Sequence, residues 1–277
     1  MSASATRIVC FVSDRTGVTA ETLGHSLLSR FSGRAFNTVT MPFVLNVTQA
    51  KGVVARIDAL GADQHTKPIV FCTIVDQETR AVIAQAKALV IDFFSTFVGQ
   101  LESELGARAE ATGVPAMHGA TTDPTYSARI EATNYALAND DGAGRDFRSA
   151  NVVLLGVSRS GKTPTCLYLA LQYGVLAANY PLAEEELENG ELPHRLLPYR
   201  EKLYGLTVKA DRLQQIRSER RPGSRYASSQ QVQYELRAAQ ALFTRFSVPC
   251  LDVTECSIEE IASRIMDEMA LARHARS

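Results

Sequence analysis

Short apolar segments alternate with stretches of helical pattern along this chain, and the alternation constrains the fold more than any other feature. In the first third, the predicted strands lie at residues 7–12, 38–44, 67–75 and 88–94. A helical stretch follows each of the first three, and the fourth apolar run could equally begin a helix. A second series has predicted strands at residues 151–155, 206–208 and 250–253. Because parallel strands need crossover connections, the pattern predicts an α/β protein with two βα-type domains and mainly parallel sheets.

A change in composition separates the two series. Residues 112–125, TGVPAMHGATTDPT, are rich in Gly, Pro and Thr and lack periodicity, which is typical of a linker or a functional loop. A helix is predicted at residues 127–138. We therefore predict an N-terminal α/β domain at residues 1–111, a linker with a connecting helix at 112–146, and a C-terminal domain at 147–277.

One motif in the second series points to chemistry. Eight consecutive residues match the phosphate-loop pattern G-x-x-x-x-G-K-[ST]: Gly156, Val157, Ser158, Arg159, Ser160, Gly161, Lys162 and Thr163. The glycines allow backbone N–H groups to turn towards phosphate oxygens, and the following helix directs its N-terminal partial charge at them. A predicted strand before the motif and a predicted helix after it strengthen the match. The C-terminal domain is therefore predicted to be P-loop NTPase-like and to bind a nucleotide.

The pattern suggests a role for particular side chains of this loop. Lys162 is the expected charge stabiliser, and Ser158 and Arg159 are expected secondary contacts. The Thr163 hydroxyl is a candidate ligand of Mg²⁺. No acidic residue stands out as a further metal-site group. Asp252 is the best candidate in the second half, and a turn residue at a strand end is an equal alternative for it.

An arginine-rich segment follows later in the chain. IRSERRPGSRYASS contains Arg217, Arg220, Arg221 and Arg225 around a helix-breaking Pro-Gly-Ser. Arginines on such a segment could form a lid over a transferring phosphoryl group, or they could lie on a solvated helix end. Just upstream, Asp211 and Gln214 fit an N-terminal capping box.

Two other helix starts carry signals. The turn SDRTGVTAE, residues 13–21, follows the first strand and could bind an anion or simply cap a helix. Near the C-terminus, Ser257 and Glu260 form a capping-box pattern before a periodic apolar run, which predicts a core-packing helix at residues 258–273.

Composition excludes several classes of function. The formal net charge is −1, so no global basic field would recruit nucleic acid or an anionic membrane. No apolar run approaches the length of a membrane span, and no segment near the N-terminus reads as a signal peptide, so a cytoplasmic protein is expected. The five cysteines are scattered without a C-x-x-C pair, which argues against a zinc site or a disulfide framework.

Taken together, the motifs resemble those of the kinase–pyrophosphorylase family, in the branch that regulates phosphoenolpyruvate synthase. The resemblance covers nearly the full length and rests on SDRTGVTAETLGHSLLSRF, RIEATNYALANDDG, LLGVSRSGKTPTCLYLALQYGVLAANYPL and RYASS. Gly-Lys-Thr-Pro and AANYP are closer to this branch than to regulators of pyruvate, phosphate dikinase.

The resemblance implies a pair of reactions on a protein substrate, phosphoenolpyruvate synthase. In one, ADP phosphorylates a partner threonine next to the catalytic histidine and inactivates the partner. In the other, inorganic phosphate removes that phosphoryl group as pyrophosphate. Mg²⁺ is an expected cofactor, and a homodimer is a further expectation. The base that accepts the threonine proton stays open among Asp14, Asp140, Asp141 and Asp211.

Two other functions would fit the same motifs. The chain could be an ATP-dependent kinase of a small metabolite, with the N-terminal series as its substrate domain. It could also be a nucleotide sensor without catalytic activity that binds a partner protein.

Overall fold

The computed structural model describes residues 6–63, 65–109, 124–142 and 147–272. Two compact units divide the chain, Met1–Met117 and His118–Ser277. Residues 110–123 and 143–146, which include both predicted domain boundaries, lie outside the described residues, so these boundaries stay a prediction.

The first unit is a four-stranded parallel sheet with helices between its strands. Its elements in chain order are β1 (Arg7–Ser13), α1 (Val18–Leu28), β2 (Phe36–Met41), α2 (Val47–Asp63), β3 (Ile69–Thr73), α3 (Gln77–Ile83), β4 (Leu89–Asp92) and α4 (Phe93–Leu105). The strand order is β2-β1-β3-β4, and every pairing is parallel. Consecutive β1 side chains enter opposite cores, because side chains alternate along a strand: Cys10 and Val12 pack in one cluster and Val9 and Phe11 in the other.

The second unit repeats this architecture. Its elements are α5 (Pro124–Ala138), β5 (Val152–Gly156), α6 (Lys162–Tyr173), β6 (Ala177–Pro181), α7 (Glu184–Asn189), β7 (Leu203–Thr207), α8 (Ala210–Arg220), α9 (Ser229–Arg245), β8 (Cys250–Asp252) and α10 (Ile258–Glu268). Short 3₁₀ segments lie at Asp140–Gly142, His194–Lys202 and Arg225–Ala227. The strand order is β6-β5-β7-β8, again all parallel.

Strand β5 lies at the centre of the second unit, with a hydrophobic cluster on each face. Val153 and Leu155 belong to one cluster, and Val152 and Leu154 belong to the other. Such a strand, buried on both faces, reads as a continuous apolar run, which is why the sequence predicted it. The central position places the residues that follow Gly156 at the carboxyl edge of the sheet.

The predicted fold class, α/β with two mainly parallel sheets, is confirmed. The apolar run at residues 88–94 contains both predicted elements, since β4 ends at Asp92 and α4 begins at Phe93. The capping box of Ser257 and Glu260 is present at α10, although the helix ends at Glu268. Strand β6 and helix α7 were not predicted.

The capping box predicted for Asp211 is wrong. Helix α8 begins one residue earlier, with Lys209 at its N-cap, so Asp211 lies within the first turn. The Lys209 backbone N–H donates to Thr254 Oγ1 at 2.8 Å. A contact with a distant residue therefore sets the start of this helix.

A helix that crosses a membrane needs about 20 mostly apolar residues. Within the described ranges, no helix is both long and apolar enough to cross a bilayer.

Candidate functional site

The loop between β5 and α6 begins at a glycine that no other residue could replace without strain. Gly156 has a φ of 157°, and a Cβ atom there would lie 2.5 Å from the backbone oxygen of Leu206 in the neighbouring strand. The same Cβ would lie 2.7 Å from Ser160 Oγ, which is buried and has no hydrogen-bond partner within the described part of the chain. The first motif glycine thus lets the chain turn away from β5 while staying close to β7.

Left-handed backbone conformations shape the rest of the loop. Arg159 has a φ of 74° and Gly161 a φ of 86°, and Gly161 is the N-cap of α6. No acceptor in the part of the chain that the structure describes takes a hydrogen bond from the backbone N–H of Gly161, Lys162 or Thr163. Free N–H groups at the start of a 12-residue helix carry a partial positive charge. The loop therefore has the backbone features of an anion site.

Lys162, the first residue of α6, is a buried cation. It is only 5% exposed, and its Nζ donates to the Val157 carbonyl oxygen at 2.8 Å. The pKa of Lys162 is lowered to about 8, mainly by burial and to a smaller extent by the nearby Arg217, whereas Asp141, Cys166 and Asp140 act in the opposite direction. An ammonium group held in this way would gain strongly from a phosphate anion at the same place.

An acidic turn lies beside Thr163, the next residue of the helix. The 3₁₀ turn before β5 carries Asp140 and Asp141. The Thr163 hydroxyl donates to Asp140 Oδ1 at 2.8 Å. Asp141 is exposed and has a left-handed φ of 48°. Two of the four candidate bases thus lie beside the predicted phosphate loop.

The other two candidate bases have different surroundings. Asp14 belongs to the first unit, where its Oδ2 accepts from the backbone N–H of Val75 at 3.0 Å. Asp211 is exposed in the first turn of α8. Asp211 has no hydrogen bond with Lys162 or Thr163 in the described ranges.

Asn179 completes the cluster and was not identified from the sequence. It is 1% exposed in β6, and its Nδ2 lies 2.6 Å from Asp140 Oδ1, 2.9 Å from Thr163 Oγ1 and 3.3 Å from Asp141 Oδ1. The signal that could have pointed to it is its place in AANYP, where a polar residue interrupts a buried strand.

The cluster offers oxygen donors for a metal ion. No group of three or more His, Cys, Asp or Glu residues that could hold a metal exists in the described ranges. Mg²⁺ does not need one, since it keeps several waters and binds through one or two protein oxygens and the substrate phosphates. The Thr163 hydroxyl and the Asp140 carboxylate are donors of this kind, so the residues present fit Mg²⁺ bound with a nucleotide.

Asp252 has the surroundings of a strand-end turn residue. Its Oδ1 accepts from the Thr254 backbone N–H at 2.9 Å and from the Thr254 hydroxyl. Strand β7 separates β8 from β5 in the sheet. Asp140, and not Asp252, is the carboxylate that contacts Thr163.

Arg217 differs from the expected lid residue because it is fully buried. Its NH2 donates to Glu235 Oε2 at 2.6 Å and to the Ser158 carbonyl oxygen at 3.1 Å. Its NH1 donates to the Tyr226 carbonyl oxygen at 3.1 Å, and its guanidinium lies 4.2 Å from the centre of the Tyr226 ring. Tyr226 and Ser158 in turn share a hydrogen bond of 2.8 Å between their hydroxyl groups. Arg217 thus ties the loop to α8, α9 and the turn between them.

The other predicted lid arginines are exposed. Arg225 forms an ion pair of 3.0 Å with Glu184, and both side chains are largely in solvent. Arg220 and Arg221 lie at the end of α8. Arg159 is also exposed. The lid role of Arg220, Arg221 and Arg225 stays a prediction.

Known proteins are similar to this chain over nearly its whole length. The relatives with high identity include proteins of Legionella pneumophila (strain Corby), 48% identical over 268 residues, and Halorhodospira halophila, 50% identical over 269 residues; the alignments cover 96% of this chain and 98% of each relative. A protein of Hahella chejuensis is 46% identical, with 98% of this chain and 99% of the relative aligned. Each bears the name "Putative phosphoenolpyruvate synthase regulatory protein". A family model described as kinase/pyrophosphorylase matches residues 9–266, and the chain belongs to this family.

Proposed function

We propose that this protein regulates phosphoenolpyruvate synthase by reversible phosphorylation of a threonine. ADP is the phosphoryl donor for inactivation, and inorganic phosphate is the acceptor for reactivation, with pyrophosphate as product. The names of the relatives and the family membership support the regulatory role. The observation that carries the chemistry is the buried Lys162 beside free backbone N–H groups and the Thr163–Asp140 pair.

The loop would bind and orient the phosphates. Lys162 holds its proton on Nζ against the Val157 carbonyl oxygen, and a phosphate oxygen is a stronger acceptor for that proton. The N–H groups at the start of α6 add a fixed partial charge at the same place. Preorganised charge of this kind stabilises a phosphoryl group in transfer without reorganisation at the moment of reaction.

The acidic turn would handle the proton of the target threonine. Asp140 Oδ1 already accepts from Thr163 and Asn179, whereas Asp141 is exposed and, among the described residues, has a hydrogen bond with Asn179 alone, at 3.3 Å. We therefore assign the base to Asp141. The threonine oxygen bonds to the β-phosphorus of ADP, AMP leaves, and the threonine proton passes to Asp141. In the reverse direction a phosphate oxygen bonds to the phosphothreonine phosphorus, pyrophosphate forms, and the threonine oxygen takes a proton back.

The same site can serve the two directions because phosphoryl transfer depends mainly on positioning and charge neutralisation. Thr163 and Asp140 would hold Mg²⁺, which neutralises phosphate charge when bound. The terminal phosphates of ADP and the two phosphates of pyrophosphate present similar charge to this loop. One cradle can therefore bind either of them.

A labelling experiment tests the proposal. The protein is incubated with phosphoenolpyruvate synthase and ADP labelled with ³²P at the β-phosphorus, and in parallel with ATP labelled at the γ-phosphorus. We expect label on a synthase threonine from ADP alone, and its release as pyrophosphate when phosphate is added. Lys162→Ala should abolish the transfer. Lys202→Ala is the matched control, because Lys202 also donates to a backbone carbonyl oxygen but lies at the amino end of β7.

Other outcomes would replace the proposal. Turnover of ATP on a small molecule without labelling of the synthase would identify a metabolite kinase. Nucleotide binding without any transfer would identify a sensor. Cytoplasmic location and self-association stay predictions that this experiment does not address.

A further inference from the structure

Asn179 connects three elements of the candidate site. It lies in β6 opposite Leu154 of β5, so its position is fixed by the centre of the sheet. Its backbone N–H donates to the Asn139 carbonyl oxygen at 3.1 Å, which ties the acidic turn to β6. Its side chain reaches Thr163 at the start of α6 and the two aspartates of the turn.

The side-chain hydrogen bonds of Asn179 with described residues are made by its Nδ2 group. The amide has two N–H donors, and the two shorter contacts are with Asp140 Oδ1 at 2.6 Å and Thr163 Oγ1 at 2.9 Å. Asn179 Oδ1 is buried and has no hydrogen-bond partner among the residues that the structure describes. The opposite amide orientation would place this oxygen against a carboxylate, which is repulsive, so the hydrogen-bond network fixes the orientation. The two N–H donors of Asn179 therefore make the useful contacts of this buried amide, with Asp140 and Thr163.

These contacts also determine the orientation of the Thr163 hydroxyl. It donates its single proton to Asp140 and accepts one hydrogen from Asn179. A hydroxyl oxygen has two lone pairs, so one stays available. With its proton and one lone pair already engaged, the hydroxyl has a fixed orientation.

We propose that Asn179 is a positioning residue of this site: its carboxamide fixes the Thr163 hydroxyl and the Asp140 carboxylate so that their free lone pairs face a divalent cation bound with a nucleoside diphosphate. The inference rests on the proposed function and adds a residue to it. Residues that orient metal ligands in this way typically change metal affinity by about 10- to 100-fold when they are replaced.

Direct cation binding tests the inference. Mn²⁺ serves as the probe, and its free concentration is measured by electron paramagnetic resonance in the presence of ADP and without the partner enzyme. Asn179→Leu keeps the volume of the side chain and removes both donors. We expect Mn²⁺ to bind to the variant at least about 10-fold more weakly than to the wild type.

A double-mutant cycle separates positioning from a general structural role. If Asn179 orients both Thr163 and Asp140, Asn179→Leu should have a smaller effect on Mn²⁺ affinity in a Thr163→Val background than in the wild type, because one of the two ligands that it orients is gone. A role in folding alone would give additive effects. Chemical denaturation of each variant shows whether it is folded, and Asn179→Ala, which also removes both donors, replaces Asn179→Leu if that variant does not fold.

The matched control is Asn151→Ala. Asn151 is likewise an asparagine whose carboxamide makes a hydrogen bond: its Oδ1 accepts from the Leu176 backbone N–H at 2.8 Å. It lies just before β5, at the other edge of the sheet. This variant should bind Mn²⁺ like the wild type.

Three results would overturn the inference: wild-type Mn²⁺ affinity in a folded Asn179 variant, additive effects in the cycle, or a wild-type protein that binds no Mn²⁺ with ADP. Failure of the proposed function is a different result. Wild-type protein that binds Mn²⁺ and ADP but transfers no label would reject the function, while the cycle would still decide the role of Asn179.

Discussion

The two units have the same strand order, yet the loops after their central strands differ in chemistry. In each unit the first strand is central, and the helix that follows has a left-handed glycine as its N-cap: Gly17 with a φ of 85° before α1, and Gly161 with a φ of 86° before α6. The backbone therefore enters both helices in a similar conformation.

The side chains around these two loops differ. In the first unit the Arg15 backbone N–H donates to Ser13 Oγ at 3.1 Å, and Asp14 Oδ2 accepts from the Val75 backbone N–H at 3.0 Å. Helix α1 then starts with the exposed Val18, whereas α6 starts with the buried Lys162. Topology places a loop and a helix start at the same edge of each sheet, and a few side chains decide whether that edge suits an anion.

The largest difference between the loops should appear in activity. Replacing Lys162 with Met removes the buried charge, and we expect transfer to the synthase to fall by roughly 10²- to 10³-fold. Val18→Met, at the corresponding first position of α1, should leave the rate unchanged. The measurement is the initial rate of threonine labelling from ADP. Equal losses in the two variants would remove the distinction between the two loops.

The end of the central strand gives a second contrast. β1 ends with Ser13, whereas the Gly156 position at the end of β5 leaves no room for a Cβ atom. We expect Gly156→Ser to destabilise the protein by roughly 3 to 5 kcal/mol, since overpacking adds to backbone strain. Gly52→Ala in α2, where nothing lies within 4 Å of a Cβ, should not destabilise it. Urea denaturation measures the free energy of unfolding, and a tolerated serine would contradict the close approach to Leu206.

The ion pair behind the phosphate loop tests what holds the loop in place. Arg217→Met leaves Glu235 without its cationic partner in a largely buried position, and we expect a loss of roughly 3 kcal/mol in the free energy of unfolding. Arg225→Ala removes an exposed ion pair with Glu184 and should cost less than about 1 kcal/mol. Urea denaturation of the two variants makes the comparison. Equal costs would show that burial does not distinguish the two arginines.

The free energy of unfolding should depend on pH because Lys162 is buried. Because the pKa of Lys162 is lowered to about 8 from its usual 10.5, the charged form is destabilised in the folded protein. This loss of folding stability is fully present below pH 8, where Lys162 is charged in both states, and it decreases as the pH rises towards 10.5. Lys162→Met should therefore stabilise the protein at pH 7, by up to about 3 kcal/mol, and this gain should shrink towards pH 10. The measurement is urea denaturation of the wild type and Lys162→Met between pH 7 and 10. A stability difference that stayed constant over this range would show that the lysine charge does not cause it.

Local sequence patterns determined much of this protein by themselves. Continuous apolar runs marked the buried strands of two parallel sheets, and Ser257 with Glu260 marked the start of α10, because periodicity and capping depend on residues close together in the chain. The Gly-Lys-Thr motif identified the loop after β5 for the same reason. Strand β6 escaped prediction because AANYP is short, contains Asn and Pro, and has few residues that favour strands.

Only the tertiary structure decided which distant residues join that loop. Strand order puts β6 beside β5, so Asn179 reaches Thr163, and it puts β7 between β5 and β8, so Asp252 does not. The burial of Arg217 likewise depends on α9 and Tyr226, which lie later in the chain. A spacing pattern identifies which residues can share a face of one element. The packing of elements decides which side chains from different elements touch, and that information lies in contacts across the fold.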